Sequence, residues 1–152
     1  MRALLQRVRR AEVRTDKGVV GSIGPGLLVL LGVGQDDDER AADGLAAKTA
    51  KLRIFADAEG RMNLSLLDVG GEALVVSQFT LFADARNGNR PSFVRAAPPQ
   101  RADALYARYV AALRDAGVPV ATGTFQTHMQ VELVNDGPVT VWLDGDELGG
   151  GR

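Results

Sequence analysis

Short apolar segments separated by turn residues make up the first part of the chain. Residues 2–13, 19–23 and 27–33 are rich in Val, Leu and Ile, and the third is the continuous apolar run typical of a strand buried on both faces. Turn-forming residues lie between them at 15–18 and 24–26. This spacing predicts three strands arranged as an antiparallel meander.

Apolar residues at helical spacing predict two main helices, over 38–54 and 99–116. The first has acidic residues at its start, where the helix dipole favours negative charge. The second begins at Pro98 and Pro99 and ends before Gly117, positions that suit these residue types. Its apolar stripe consists of Ala102, Leu105, Tyr106, Tyr109, Val110 and Leu113.

Further strands are predicted at 72–82, 129–134 and 139–143, and residues 83–98 form a polar loop. No internal repeat or linker interrupts the chain. The sequence therefore predicts one α+β domain over 1–145, with a mainly antiparallel, barrel-like sheet covered by two main helices. Residues 146–152 are glycine-rich and predict a flexible tail.

Composition excludes several classes of protein. Apolar residues make up 45% and charged residues 24% of the 152 residues, which are globular values, and there is no cysteine. No apolar run is long enough to predict a membrane helix, and arginines interrupt the N-terminal segment, so we expect a cytoplasmic protein. The net charge of −1 indicates that any contact with RNA uses a local patch.

The common catalytic constellations are missing from the sequence. With one histidine, His128, and no cysteine, the chain has no Cys/His pair and no histidine cluster for a metal. It also lacks the motifs GxSxG, Walker A and HExxH. We therefore expect neither a metal nor a cofactor, and we interpret His128 as a partly exposed residue at a strand entrance rather than a triad member.

Two polar residues stand out within an apolar strand. The segment SQFTL at 77–81 continues the run Leu74-Val75-Val76, and strand alternation would place Gln78 and Thr80 on one face. A buried amide or hydroxyl without a partner costs about 1–3 kcal/mol. The side chains of Gln78 and Thr80 therefore either form hydrogen bonds within the fold or line a pocket and bind a ligand.

Two other segments suggest function less specifically. NDGPVT at 135–140 contains Asp-Gly between apolar strands, which predicts a hairpin turn, and nothing local shows whether Gly137–Pro138 is cis. RNGNRPSF at 86–93 is a basic, glycine-containing loop, typical of a solvated surface but suited to a phosphate backbone.

The two motifs together resemble those of the D-aminoacyl-tRNA deacylases. SQFTL at 77–81 matches their SQFTL motif and NDGPVT at 135–140 matches their NxGPVT motif. Several shorter segments are similar in the same order, so the resemblance covers roughly residues 1–144. One local departure precedes Met129: the chain has Phe125-Gln126-Thr127-His128 where the family pattern has glycine and alanine after the phenylalanine.

The resemblance implies a homodimeric editing hydrolase that cleaves D-aminoacyl-tRNA, and also glycyl-tRNA, while rejecting L-aminoacyl-tRNA. Ser77, Gln78, Phe79 and Thr80 would form the catalytic segment, with the Phe79 N–H stabilising the oxyanion. A cis Gly137–Pro138 from the partner subunit would form the chiral filter. The tRNA 3′ end would be the substrate, with Arg7, Arg86 and Arg90 as candidate tRNA contacts.

Four alternatives remain open at this level. Thr80 could be a nucleophile, but no adjacent base is visible in the sequence. The chain could be a non-catalytic tRNA- or DNA-binding module on the same fold, or an editing relative that handles L-amino acids through a trans Gly-Pro. A metallo-hydrolase is disfavoured by the scarcity of ligand residues.

Overall fold

The first and last strands of the sheet are its longest and pair with each other. In the computed structural model, which describes residues 1–149, Ala3 and Leu5 of the first strand are buried, whereas Arg2 and Leu4 are only partly buried. This alternation is the period expected of a strand with one covered face. The strands are β1 Arg2–Thr15, β2 Gly18–Ile23, β3 Gly26–Gly32, β4 Phe55–Ala56, β5 Met62–Leu64, β6 Glu72–Ser77, β7 Val120–Thr122 and β8 Gln130–Asp144.

The main sheet has six strands and is mixed. β1 pairs antiparallel with β2, β3 and β8, whereas β3–β6 and β6–β7 are parallel. The sheet curls so that β2 approaches β7: a Cβ built on Gly21 would lie only 2.4 Å from the carbonyl oxygen of Thr122. A side chain at position 21 would force the two strands apart, so glycine permits the barrel-like closure.

The predicted meander is wrong in its pairing. β2 and β3 do not pair with each other; β2 pairs with the C-terminal part of β1 from Ala11 to Thr15, and β3 pairs with the N-terminal part from Arg2 to Val8. The two halves of the long strand β1 therefore pair with two shorter strands. The hydrophobic pattern predicted where the strands lie in the sequence, but it does not show which strands pair.

The predicted hairpin at 135–138 is also wrong. β8 is one strand of 15 residues, and both of its halves pair with β1, on either side of an irregularity at Arg7. Asp136, Gly137 and Pro138 therefore form a bulge rather than a reversal. Asp, Gly and Pro suit a bulge as well as a hairpin turn, but after a bulge the strand continues in its original direction.

The predicted strand 72–82 is too long. β6 ends at Ser77, and a 3₁₀ turn over Phe79–Phe82 follows. The expectation that Gln78 and Thr80 share a strand face therefore fails, because strand alternation stops before either residue. The segment leaves the sheet at the point where its polar residues begin.

The two long helices form where they were predicted and cover one face of the sheet. The helices are α1 Glu39–Lys51, α2 Leu66–Val69, α3 Pro99–Asp115 and α4 Gly145–Leu148. Asp38 caps α1 by accepting from the Ala41 N–H at 2.9 Å. Tyr109 of α3 is fully buried, and its hydroxyl donates to Thr49 of α1 at 2.7 Å, so burial leaves no polar atom unpaired.

The fold class is confirmed: one α+β domain with a barrel-like sheet covered mainly by α1 and α3. A second apolar cluster fills the barrel between β1, β2, β3 and β6. The predicted tail begins inside α4, and its residues 150–152 lie outside the described part of the chain. Within residues 1–149 no helix is both long and apolar enough to span a membrane.

Candidate functional site

A cavity of about 900 Å³ lies beyond the ends of β3 and β6. Its walls come from four parts of the chain that are distant in sequence: the ends of these strands, the loop 83–98, the start of α3, and the segment before β8. Most lining side chains are apolar. The polar ones are Ser77, Gln78, Gln126, Thr127 and His128.

The segment after β6 is fixed to the sheet by its main chain. The Gln78 N–H donates to the Leu31 carbonyl at 2.8 Å, extending the parallel pairing with β3 by one residue. The Gln78 side-chain amide donates to the Thr80 hydroxyl. Ser77, Gln78 and Phe79 line the cavity, but Thr80 does not. The predicted catalytic segment is therefore brought to the cavity except for its threonine.

Phe79 begins the 3₁₀ turn, and the residue is 55% exposed. The first N–H groups of a helical turn have no partner within that turn, so the Phe79 N–H is available to an acceptor. The ring meets Phe93 edge to face, with centroids 5.1 Å apart. The loop 83–98 thus contributes an aromatic wall that the sequence did not identify, because Phe93 lies in an otherwise polar segment.

Residues 125–129 form another wall of the cavity, and the first four of them are the segment that departs from the family pattern. The Phe125 ring packs 6.4 Å from that of Tyr106, whose hydroxyl donates to the Val75 carbonyl at 2.6 Å. Burial raises the pKa of Tyr106 to about 12, so this hydroxyl stays a donor at neutral pH. Helix α3 therefore anchors this wall of the cavity to the sheet.

His128 lines the cavity but forms no triad. It is exposed, and no hydrogen bond to a carboxylate is found for it in residues 1–149. The same residues contain no group of three or more Asp, Glu, His or Cys that could hold a metal ion. The polar groups that the cavity does offer are the hydroxyls, amides and imidazole of Ser77, Gln78, Gln126, Thr127 and His128.

The Gly137–Pro138 segment is held by side chains, whereas the segment at Gln78 is held by main-chain pairing. The peptide bond between Gly137 and Pro138 is cis. The Asn135 side chain accepts from the Val139 N–H at 2.8 Å and donates to the Val139 carbonyl at 3.1 Å. Arg7 donates to the Asp136 carbonyl at 2.7 Å, so polar side chains hold the bulge from both sides. Neither Gly137 nor Pro138 lines the cavity described above.

The three candidate tRNA contacts lie in different surroundings. Arg7 is partly buried and also donates to the Ile54 carbonyl at 2.8 Å. Arg86 is exposed, and its guanidinium donates two hydrogen bonds to Asp84, at 2.9 and 2.7 Å, and its backbone N–H a third at 3.1 Å. These bonds lower the pKa of the Asp84 carboxyl to about 2. Arg90 is exposed in the same loop, whose ends are closed by paired hydrogen bonds between Asp84 and Ser92.

One face of the sheet is left partly open beside these elements. Leu4 and Leu30 are paired neighbours that remain partly exposed, and Trp142, opposite Leu4 on β8, is 45% exposed. The Arg2 guanidinium lies over the Trp142 ring at 5.6 Å and over that of Phe82 at 4.4 Å. An apolar and aromatic sheet face of this kind suits contact with another protein surface.

Comparison with known proteins identifies the family. A family model described as D-Tyr-tRNA(Tyr) deacylase matches residues 4–144. A D-aminoacyl-tRNA deacylase of Thermomicrobium roseum is 60% identical over 151 residues, covering 99% of this chain and 98% of the relative. One of Symbiobacterium thermophilum is 58% identical over 147 residues, covering 97% of each.

Solved structures agree on the fold. A structure described as c-Myc DNA Unwinding Element Binding Protein has a TM-score of 0.90 and 37% identity, covering 95% of this chain and 98% of its own. A probable eukaryotic D-amino acid tRNA deacylase has a TM-score of 0.79 at 18% identity, a likeness of fold alone. The resemblance drawn from the two motifs is confirmed, and the chain belongs to the D-aminoacyl-tRNA deacylase family.

Proposed function

We propose that this protein is an editing hydrolase that cleaves the ester bond of D-aminoacyl-tRNA, releases the D-amino acid and tRNA, and spares L-aminoacyl-tRNA. Family membership supports the reaction class. The observation that carries the proposal is the position of Gln78 and Phe79 at the edge of an apolar cavity, with donors directed by a rigid sheet. Glycyl-tRNA, whose amino acid has no handedness, would be a further substrate.

The chemistry we propose needs no side-chain nucleophile. Water attacks the ester carbonyl, the carbon–oxygen bond to the ribose breaks, and the ribose oxygen leaves with a proton. The Phe79 N–H and the Gln78 amide would stabilise the oxyanion that forms. Ser77 would help to shape the site. Thr80 would position Gln78, because its hydroxyl accepts from the Gln78 amide and does not itself line the cavity.

Gly137 and Pro138 would act in a second copy of the chain. In its own subunit this bulge is held by Asn135 and Arg7 but lines none of the cavity. Inserted into the partner's cavity, its carbonyls would face the substrate amino group and leave no room for the side chain of an L-amino acid. The open sheet face around Leu4 and Trp142 supplies apolar surface for such a homodimer.

We propose that the basic loop meets the tRNA. Arg86 and Arg90 extend from the loop whose Phe93 and Val94 line the cavity, so a bound 3′ end would bring phosphates close to them. Arg7 would act indirectly, since its guanidinium is already engaged by two carbonyls. Replacing Arg86 and Arg90 together should lower the salt dependence of tRNA binding by about one slope unit per lost phosphate contact.

Single-turnover deacylation tests the reaction directly. The protein should hydrolyse D-tyrosyl-tRNA, act on glycyl-tRNA, and leave L-tyrosyl-tRNA at the rate of the uncatalysed control. Chelators should not change these rates. Hydrolysis of the L-ester at the rate of the D-ester would overturn the proposed selectivity, and no hydrolysis of either would overturn the reaction.

A mixing experiment tests the shared site. Gln78→Ala damages the cavity, and Gly137→Ala damages the bulge, because the new Cβ would lie 2.6 Å from the Val139 nitrogen. Each variant alone should be nearly inactive. After unfolding and refolding together, half of the dimers are mixed and one of their two sites is intact, so about one quarter of wild-type activity should return.

The mixing experiment has a matched control and a clear opposite outcome. Gln78→Ala refolded with a second sample of Gln78→Ala should recover nothing. If the two different variants also recover nothing although native mass spectrometry shows mixed dimers, each subunit contains its whole site, and the proposed insertion into the partner is wrong.

DNA binding is a second candidate function, favoured by the description of one structural neighbour as a DNA unwinding element binding protein. The net charge of −1 gives this chain little general attraction to a duplex. Filter binding of duplex and unpaired DNA at about 150 mM salt, near physiological ionic strength, tests it. Tight DNA binding without deacylation would make this the better assignment.

A further inference from the structure

Gln126 has an unusual backbone conformation for its residue type. Its φ is 56°, and it is the one non-glycine residue with positive φ within the described range 1–149. Glycine adopts this left-handed region without steric cost, whereas a residue with a Cβ does so unfavourably. The chain thus has glutamine at a position where the backbone favours glycine.

The surrounding structure fixes this conformation. On one side, the Phe125 ring packs on Tyr106, which is tied to β6. On the other, the Thr127 hydroxyl donates to the Phe125 carbonyl at 3.3 Å and closes the turn. Gln126 lies at the tip between the two anchors. The strained position is therefore held by its neighbours rather than by Gln126 itself.

The Gln126 side chain lines the cavity and has no structural task there. It is exposed, and no hydrogen bond of its amide is found within residues 1–149. The nearby walls contain three aromatic rings, those of Phe79, Phe93 and Phe125. Aromatic walls accept the flat face of a nucleobase but cannot pair with its polar edge.

We propose that Gln126 is a specificity-determining residue that hydrogen-bonds the base edge of the terminal adenosine of the tRNA. This inference rests on the proposed function. A carboxamide offers donors and an acceptor on one planar group, which is the pattern that adenine presents through its exocyclic amine and a ring nitrogen. The contact makes substrate binding depend on the amine of the base. It also gives a reason for a glutamine at a position whose left-handed backbone conformation favours glycine.

Gln126→Gly separates this role from a structural one, because the variant should gain thermal stability while it loses activity. Removing the Cβ should raise the Tm by about 2–4 °C, since glycine suits the left-handed conformation. The same variant should lower kcat/KM for D-tyrosyl-tRNA about tenfold, mainly through KM. Thr124→Gly is the matched control, since Thr124 is exposed in the same segment but does not line the cavity.

A change in the substrate identifies the contact. D-tyrosyl-tRNA ending in purine riboside lacks the exocyclic amine. Wild-type protein should lose about tenfold in kcat/KM on this substrate, and Gln126→Gly should lose little more, because the partner is already gone. The Thr124→Gly protein should respond to the analogue as the wild type does.

Two results would overturn the inference while leaving the proposed function intact. Either Gln126→Gly matches wild-type kinetics on both substrates, or the penalties of variant and analogue multiply as independent effects. If the wild type hydrolyses no D-aminoacyl-tRNA at all, the proposed function and this inference fall together.

Discussion

The two motif segments of this protein are held in place by different parts of the structure. Ser77, Gln78 and Phe79 continue a central strand, and a main-chain hydrogen bond from Gln78 to Leu31 fixes their position. Gly137 and Pro138 interrupt a peripheral strand, and the side chains of Asn135 and Arg7 hold them. The first segment is positioned by the sheet itself and the second by polar side chains added to it.

The two segments also differ in whether they line a cavity within a single chain. The first segment lines a cavity of about 900 Å³, whereas the second is equally well ordered by hydrogen bonds and lines none of it. Three polar contacts hold this bulge although it does not line the cavity, which is the arrangement that the proposed insertion into a partner subunit requires. Mutations in the first segment should therefore lower the rate of deacylation, whereas mutations in the second should lower both the rate and the stability of the protein.

The largest loss is expected in the first segment. Gln78→Ala should lower the single-turnover rate on D-tyrosyl-tRNA by about 10²–10³, the usual effect of removing one oxyanion-hole donor. Stability should change little, because the main-chain bond to Leu31 is retained. Gln100→Ala, an exposed glutamine at the start of α3, is the control. A full-rate Gln78→Ala enzyme would remove the first segment from the chemistry.

A smaller loss is expected in the second segment, together with a loss of stability. Asn135→Ala removes hydrogen bonds to the Val139 N–H, the Val139 carbonyl and the Thr140 hydroxyl. Unfolding in urea should show a loss of about 1–2 kcal/mol. The rate should fall about tenfold or more, since small misplacements of a binding wall are costly. Asn87→Ala, in the exposed loop, should change neither.

Thr80 should matter less than either segment. Thr80→Ala should keep its single-turnover rate within about tenfold of wild type, because the Phe79 N–H survives and Gln78 loses only one of its contacts. Thr80→Ser should be close to wild type. A dead alanine variant, an active serine variant and a trapped acyl-enzyme would together establish Thr80 as the nucleophile instead.

The smallest effect concerns the basic loop at acidic pH. The bonds from Arg86 lower the pKa of Asp84 to about 2 from a normal value of 3.8. A depressed carboxyl pKa stabilises the fold above the unfolded value, and that contribution is lost as pH falls from about 4 towards 2. Thermal melts across this range should show a slightly shallower decline for Asp84→Asn than for wild type. A steeper decline for the variant would contradict the assignment.

The sequence alone predicted the class of the fold, the two long helices and a polar segment that lines the cavity. Helices α1 and α3 form within a few residues of the predicted spans, because their apolar stripes and caps are local signals. The two motifs were sufficient by themselves to indicate the family. Phe125 to His128 were marked by a departure from the family pattern, and they form a wall of the cavity.

Only the tertiary structure decided how these segments meet. It showed that β1 pairs with three strands, that the expected hairpin is a bulge within β8, and that β6 stops before Gln78. It also added Val33, Phe93 and the start of α3 to the cavity, where their apolar side chains gave no signal in the sequence. Local patterns fix which residues are extended or helical, whereas strand partners and cavity walls depend on long-range packing that neighbouring residues do not encode.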